Sequence, residues 1–192
     1  MNLKKEILTA LKVFLGFTLI LGVAYPLLIT TIAQLAMPHK ANGSILEQNG
    51  KIIGSTLIGQ NFDKPEYFNS RPSSVDYNAQ ASGGSNLAPT SQKLANRVSF
   101  DVKKIQKENN LQKNNSVPAD AVLTSASGLD PHISIENALL QLPRVAKERK
   151  LSELKIKKLI NKNTDSDFIG IWGQSGVNVL KLNTELDKVS GK

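Results

Sequence analysis

Between Lys12 and His39 the chain carries no charged side chain. The run VFLGFTLILGVAYPLLITTIAQLAMP, Val13 to Pro38, is long enough that a helix rising about 1.5 Å per residue crosses a hydrocarbon core about 30 Å thick with tilt to spare. The pattern predicts a short tail over residues 1–12, one membrane-spanning helix over 13–36 and a separate domain over 37–192. Two other readings compete. A signal peptide also opens on positive charge, and a small-residue cleavage pattern can be set at Thr31 to Ala33, but its apolar region is only about 7–15 residues long. A buried core helix is rarely uncharged for so long. Pro26 is expected to kink the span, and Gly16 and Gly22 leave shallow places where another helix can approach.

Beyond the span the periodicity changes. Residues 41–60, ANGSILEQNGKIIGSTLIGQ, hold two short β-prone runs around Asn49-Gly50, a dipeptide suited to a two-residue hairpin turn. Residues 61–91 are rich in Gly, Ser, Asn and Pro and too aperiodic for helix or strand, so they predict a long loop, packed down by Tyr67, Phe68 and Tyr77. A helix capped at Thr90 or Ser91 follows, its face formed by Leu94, Val98, Val102 and Ile105, ending near Asn109. Residues 109–118 read as a polar connector and Ala121 to Ala126 as a buried strand, leading into a turn over Ser127 to His132 forced by Gly128 and Pro131. Ser134 caps a helix expected to stop before Pro143, with a second helical piece carrying Arg144 to Arg149. A third helix starts at Ser152 and gathers Leu154, Lys157, Lys158 and Lys162. Phe168 to Trp172 and Val177 to Leu182 read as closing strands, and Thr184 as the start of a terminal helix. The prediction is an α+β domain behind a single N-terminal transmembrane helix.

Charge sets the orientation. Lys4, Lys5 and Lys12 precede the span and only His39 and Lys40 closely follow it, so the positive-inside bias places the N-terminus in the cytoplasm and the domain outside. After Ala41 the chain has 20 basic and 15 acidic residues, a net of +5. With aromatics at 5% and lysines scattered, that excess suits a solvated, membrane-proximal surface and not nucleic acid. The chain has no cysteine, which excludes disulfides and thiolate metal sites.

Chemistry-bearing residues are few. The histidines are His39, at the membrane edge, and His132, in the turn, so a histidine metal site would lean on carboxylates. Ser127, Asp130 and His132 suggest a triad, but the nucleophile elbow needs Gly-x-Ser-x-Gly, and Ser125 and Leu129 stand where its glycines belong. The other reading is a polar turn in which Asp130 bonds backbone amides. Ser82-Gly83-Gly84-Ser85-Asn86 can cradle phosphate on its amides, yet it lacks the spacing of a P-loop and equally fits a structural loop.

Taken in order, the motifs closely resemble the KdpC family, the C subunits of Kdp-type potassium-transporting P-type ATPases. The matching stretches are ANGS at 41–44, IGQNF at 58–62, YFNSRPS at 67–73, QASGGSNLAPTS at 80–91, VPAD at 117–120, SASGLDPHIS at 125–134, LQLPRVAKERKLS at 140–152 and VNVLKLN at 177–183. The resemblance implies a non-catalytic, single-span accessory subunit of the cell (inner) membrane, beside a channel-like potassium-binding subunit and an ATP-hydrolysing pump subunit. It implies a catalytic chaperone that raises the pump's affinity for ATP, with no tightly bound cofactor and ATP met only in a ternary complex. A domain outside the membrane cannot touch a cytoplasmic nucleotide site, so coupling through helices that favour one pump conformation reconciles the two. Many family members carry Gln four residues after the Leu of the LS segment, where this chain has Lys155 after Leu151; Gln141 remains for a polar contact or a helix-end hydrogen bond. Expected contact residues are Arg71 and Ser73, the loop Ser82, Gly83, Gly84, Ser85 and Asn86, and the turn Gly128, Asp130 and His132. The rivals are a subunit that binds nucleotide directly at the pump's ATP site and a membrane-tethered extracytoplasmic hydrolase using His132.

Overall fold

A computed structural model describes residues 3–48, 50–166 and 173–191. The chain divides into two compact units, Met1–Ile45 and Leu46–Lys192. In the first, helix α1 (Leu3–Leu19), a π turn (Ile20–Ala24) and helix α2 (Tyr25–Ala36) run together as one helix, Leu3–Ala36, long and apolar enough to cross a membrane. Helix geometry thus reaches back to Leu3, well before the apolar run. The π turn has a visible cause. Pro26 lacks an N–H, and its ring would strike the carbonyl four residues back, that of Gly22. The helix widens just ahead of it, and the Tyr25 N–H donates to the Ile20 carbonyl, five residues back. Met37 breaks the helix at φ −148°, and the short helix α3 (Pro38–Ala41) follows.

The second unit opens with the predicted hairpin, β1 (Ile45–Gln48) and β2 (Lys51–Ser55), with Gly50 at φ +73° in its turn. Asn49, the other turn residue, lies outside the described residues. The long loop follows, and then helix α4 (Gln92–Glu108), capped by Ser91, whose Oγ accepts the Leu94 N–H. Its connector folds back, because Gln106 Nε2 donates to the carbonyls of Lys113 (3.1 Å) and Asn115 (3.3 Å).

Three expected elements differ. The strand Ala121 to Ala126 is replaced by a helical turn, α5 (Ala119–Val122), then irregular chain. Only Val122 and Ser125 of that run are buried, and a strand there would find no sheet edge beside the central strand of this unit, which is already paired on both sides. The helix capped by Ser134 does not stop at Pro143. Helix α6 (Ile135–Arg149) passes through it as one element. Pro143 is on the exposed face, so the carbonyl it leaves unbonded costs little, and the continuous buried stripe Ala138, Leu142, Val145 and Ala146 outweighs the interruption of about 3 kcal/mol. Helix α7 (Glu153–Lys162) starts at the Ser152 cap as expected. The run Val177 to Leu182 is strand only over β5 (Gly176–Asn178), and the terminal helix α8 (Val179–Ser190) begins at Val179, not Thr184. Asn178 Oδ1 caps it by accepting the Lys181 N–H, and Val179, Leu182, Asn183 and Leu186 form its buried stripe. The expected strand Phe168 to Trp172 lies outside the described residues.

A small antiparallel sheet completes the unit, in the order β3 (His132–Ile133), β5, β4 (Thr164–Asp165). His132 pairs with Asn178, Ile133 and Thr164 with Val177, and Asp165 with Gly176. The core lies among α6, α7, α8 and this sheet: Phe68, Ile133, Leu142, Val145, Ile156, Ile160, Val177, Leu182 and Leu186. Phe68 is the long loop's anchor in that core. Both its backbone groups are held by Asn183, whose Oδ1 accepts the Phe68 N–H at 2.9 Å and whose Nδ2 donates to its carbonyl at 2.9 Å. The architecture is mixed α+β with small sheets behind an apolar N-terminal helix, as the sequence predicts.

Candidate functional site

The structure brings most of the expected contact residues into one interlocked surface. Ser73 Oγ donates to the Gly128 carbonyl (2.7 Å) and accepts the N–H groups of Val75 and Tyr77. Gly83 N–H and Ser82 Oγ both donate to the Ser127 carbonyl, at 2.8 and 3.1 Å, and Gly59 N–H donates to the Leu129 carbonyl at 2.8 Å. Three stretches distant in sequence thus clasp the turn 127–132. Their glycines are steric necessities. A Cβ on Gly128, which sits at φ +68°, would lie 2.7 Å from Val75 Cγ2 and 2.8 Å from the Gly83 carbonyl oxygen. One on Gly59 would meet the Asp130 carbonyl oxygen at 2.5 Å. The Gly83 amide, a potential phosphate donor, is committed to Ser127. Gly84 packs against Ala126, and Asn86, at φ +51°, ends the loop exposed.

Asp130 organises the turn. Its Oδ1 accepts the His132 backbone N–H at 2.9 Å and its Oδ2 pairs with Arg71 at 2.9 Å. The triad geometry does not form. Ser127 Oγ accepts the Leu129 N–H and stands 3.5 Å from Ser125 Oγ, while His132 Nε2 faces Asp165 Oδ2 at 2.9 Å. That contact follows from the sheet register. Asp165 lies opposite Gly176, which has no side chain, so the His132 ring passes over it from the other flank; a Cβ there would sit 3.1 Å from His132 Cβ. Burial would push the Asp165 carboxyl up, but the hydrogen bond from His132 and the nearby Lys181, at 3.4 Å, outweigh it, so its pKa falls below the ordinary value of 3.8. Arg71, Asp120, Asp130, His132, Glu136 and Asp165 line one cleft. Among the described residues no group of three or more His, Asp or Glu side chains could hold a metal ion.

Gln141 lies apart from this surface, buried in the middle of α6 and not at a helix end. Its Oε1 accepts the Asn69 N–H at 2.8 Å and its Nε2 donates to Asn137 Oδ1 at 2.9 Å. Asp120 extends the chain of contacts, accepting from Ser134 N–H and Oγ and from Asn137 Nδ2 at 2.7–3.0 Å. Arg144 closes it with all five N–H groups: Nε to Asn109 Oδ1, Nη1 to the carbonyls of Pro65 and Tyr67, and Nη2 to Asn69 Oδ1 and Gln141 Oε1. Every acceptor is neutral, and burial lowers the Arg144 pKa. Arg149 adds a buried ion pair to Asp187 at 2.7 Å, stacks over the Tyr67 ring at 4.6 Å and donates from Nε to the Glu66 carbonyl. Tyr77 OH donates to the Arg71 carbonyl, and burial, aided by Asp63, pushes its pKa up to about 12.

Sequence reasoning missed Asp120, Asn137, Arg144, Asp165, Asn178 and Asn183 as organising residues. One signal was available: Asn137, Gln141 and Asn183 fall on otherwise apolar helical stripes, and a polar side chain buried on such a stripe must have found partners. Asp165 had none, since only the pairing of β4 with β5 brings it to His132.

The chemistry is that of positioning. The hydroxyls, carboxylates and amides of the clasped turn are spent on one another, which builds a stiff, polar, irregular surface and leaves no hydroxyl aligned with the imidazole among the described residues.

Comparison with known proteins covers nearly the whole chain. The family model "KdpC: K+-transporting ATPase, c chain" matches residues 7–188. A Potassium-transporting ATPase KdpC subunit of Mycobacterium tuberculosis (strain CDC 1551 / Oshkosh) is 47% identical over 189 residues, covering 97% of this chain and 100% of the relative. Those of Rhodopseudomonas palustris (strain TIE-1) and Koribacter versatilis (strain Ellin345) are 47% and 46% identical, over 95% and 96% of this chain and 96% and 95% of the relatives. With a family match over residues 7–188 and relatives 46–47% identical over nearly their whole length, this chain belongs to the KdpC family of potassium-transporting ATPase subunits.

Proposed function

We propose that this chain is a non-catalytic accessory subunit of an ATP-driven potassium uptake pump. Residues 13–36 span the cell membrane with the N-terminus in the cytoplasm, and the domain from residue 37 stands outside, docked on the channel-like subunit near the ion entrance. Arg71, Ser73, Ser82 to Asn86 and Gly128 to His132 make the contact. The subunit holds the assembly together and raises the pump subunit's apparent affinity for ATP without touching the nucleotide itself. It does so by binding one pump conformation better than the other, since a partner shifts an equilibrium only by its differential affinity.

The observation that carries this proposal is the clasp on the turn 127–132. Backbone hydrogen bonds from Gly59 and Gly83 and the Arg71–Asp130 pair fix a half-buried irregular surface in advance, which lowers the entropy cost of docking, while the same bonds commit the Gly83 amide and the Asp130 carboxylate. Removing the subunit from the complex is expected to weaken assembly and to raise the ATP concentration needed for potassium-stimulated hydrolysis. Unchanged assembly and unchanged ATP dependence would sink the proposal. Reporter fusions at the two chain ends test the sidedness independently, and a cytoplasmic C-terminus would restore direct nucleotide contact as the better account.

A further inference from the structure

Helix α4 has two faces of different kinds. Leu94, Val98, Val102 and Ile105 are its half-buried side. On the opposite side, at helical spacing, lie Lys93, Asn96, Arg97, Phe100, Lys103, Lys104 and Lys107. Phe100 is at the centre of that stripe and is 68% exposed, more than any other described phenylalanine of the second unit. Lys93, Lys103, Lys104 and Lys107 around it are exposed too. Arg97 and Lys104 reach Asp101 and Glu108 at the stripe's edges, at 4.0 and 3.9 Å, and Lys93, Lys103 and Lys107 make no ion pair among the described residues. An aromatic ring held in solvent among unpaired ammonium groups is unfavourable for an isolated domain and suited to a surface that offers negative charge above an apolar layer.

We propose that this face of α4 docks on anionic phospholipid headgroups of the membrane that holds the chain's own N-terminal helix. Only residues 37–44 separate that helix from β1, a tether of at most about 30 Å, so the domain meets the bilayer surface at high effective concentration. Three flexible, unpaired lysines fit a mobile array of phosphates, each contributing about a fivefold gain in the docked population near an anionic surface. The single ring inserts at the headgroup–acyl boundary, where an aromatic side chain is favoured. The inference rests on the membrane span and not on the proposed role in the pump.

The test uses the full chain in lipid nanodiscs of phosphatidylcholine with or without phosphatidylglycerol. Phe100→Trp is placed in a Trp172→Phe background, which removes the chain's one native tryptophan. Expected are blue-shifted emission and quenching by bromine-labelled acyl chains in the anionic discs only. Both effects should be lost in Lys93→Glu/Lys103→Glu/Lys107→Glu, where removing the three lysines alone lowers docking roughly a hundredfold. Protection of Lys103 and Lys107 from trypsin in the unmodified chain gives the same answer without any tryptophan exchange. Equal emission and equal cleavage in the two lipids would overturn the proposal. So would a residue 100 that stays unquenched in both and cross-links to another subunit in the assembled pump, which would give the face to a protein partner.

Discussion

Arg144 offers the sharpest test of how the long loop is held. Its five N–H groups serve five neutral acceptors, at 3.0 Å to Asn109, 3.0 Å to the Tyr67 carbonyl, 2.7 Å to Asn69, 2.8 Å to Gln141 and through a short contact to the Pro65 carbonyl. In Arg144→Met the side-chain length is roughly kept and all five donors vanish. A hydrogen bond to a charged group contributes about 1.5–3 kcal/mol, and a buried acceptor left empty costs about 1–3 kcal/mol. The gains do not add, and desolvating the guanidinium offsets part of them; an expected net loss of about 3–5 kcal/mol follows. For a domain of this size that lowers the melting temperature by about 10 °C. Arg144→Lys keeps the charge but can serve at most three acceptors without the planar fork, and it should fall between the two. The assay is thermal unfolding of the full chain in detergent, paired with limited chymotrypsin digestion. The freed loop exposes Tyr67, Phe68 and Tyr77, so cleavage there should rise well before global unfolding. An Arg144→Met protein that melts within about 2 °C of the parent and resists chymotrypsin equally would refute the idea that this cation fastens the loop.

Two further outcomes follow from the site. Gly128→Ala forces a Cβ against Val75 and the Gly83 carbonyl at a positive φ, which should cost about 1–3 kcal/mol and weaken capture of the pump subunits in a pull-down more than Gly50→Ala, whose Cβ meets nothing within 4 Å. Asp165 binds its proton less readily folded than unfolded, so its contribution to stability is present above the unfolded value near 3.8 and is lost as pH falls through the lower folded value. Asp165→Asn should therefore melt earlier than the parent at neutral pH, with the gap closing in acid, and a gap constant across pH would contradict this.

The residues that the sequence read correctly are those whose neighbours along the chain decide their fate. Lack of charge from Val13 to Pro38 marks a membrane-length helix whatever else the chain does. Ser91, Ser134 and Ser152 cap helices because a side-chain oxygen meets an amide three residues on, a purely local event. The turn at Gly50 is local too. What only the tertiary structure decided are the choices made by competition for partners. Ala121 to Ala126 reads as a strand until both edges of β5 are taken. Residues 177–182 suit strand or helix equally until burial of Leu182, Asn183 and Leu186 on one stripe selects the helix. Pro143 should end a helix, and does not, because the core beneath α6 holds both halves of its apolar stripe in register. The clasped turn obeys the same division. Its glycines and prolines announce a turn, but that Gly59, Ser73 and Gly83 close upon it depends on loop closures over dozens of residues, in a loop whose Phe68 lies in the core.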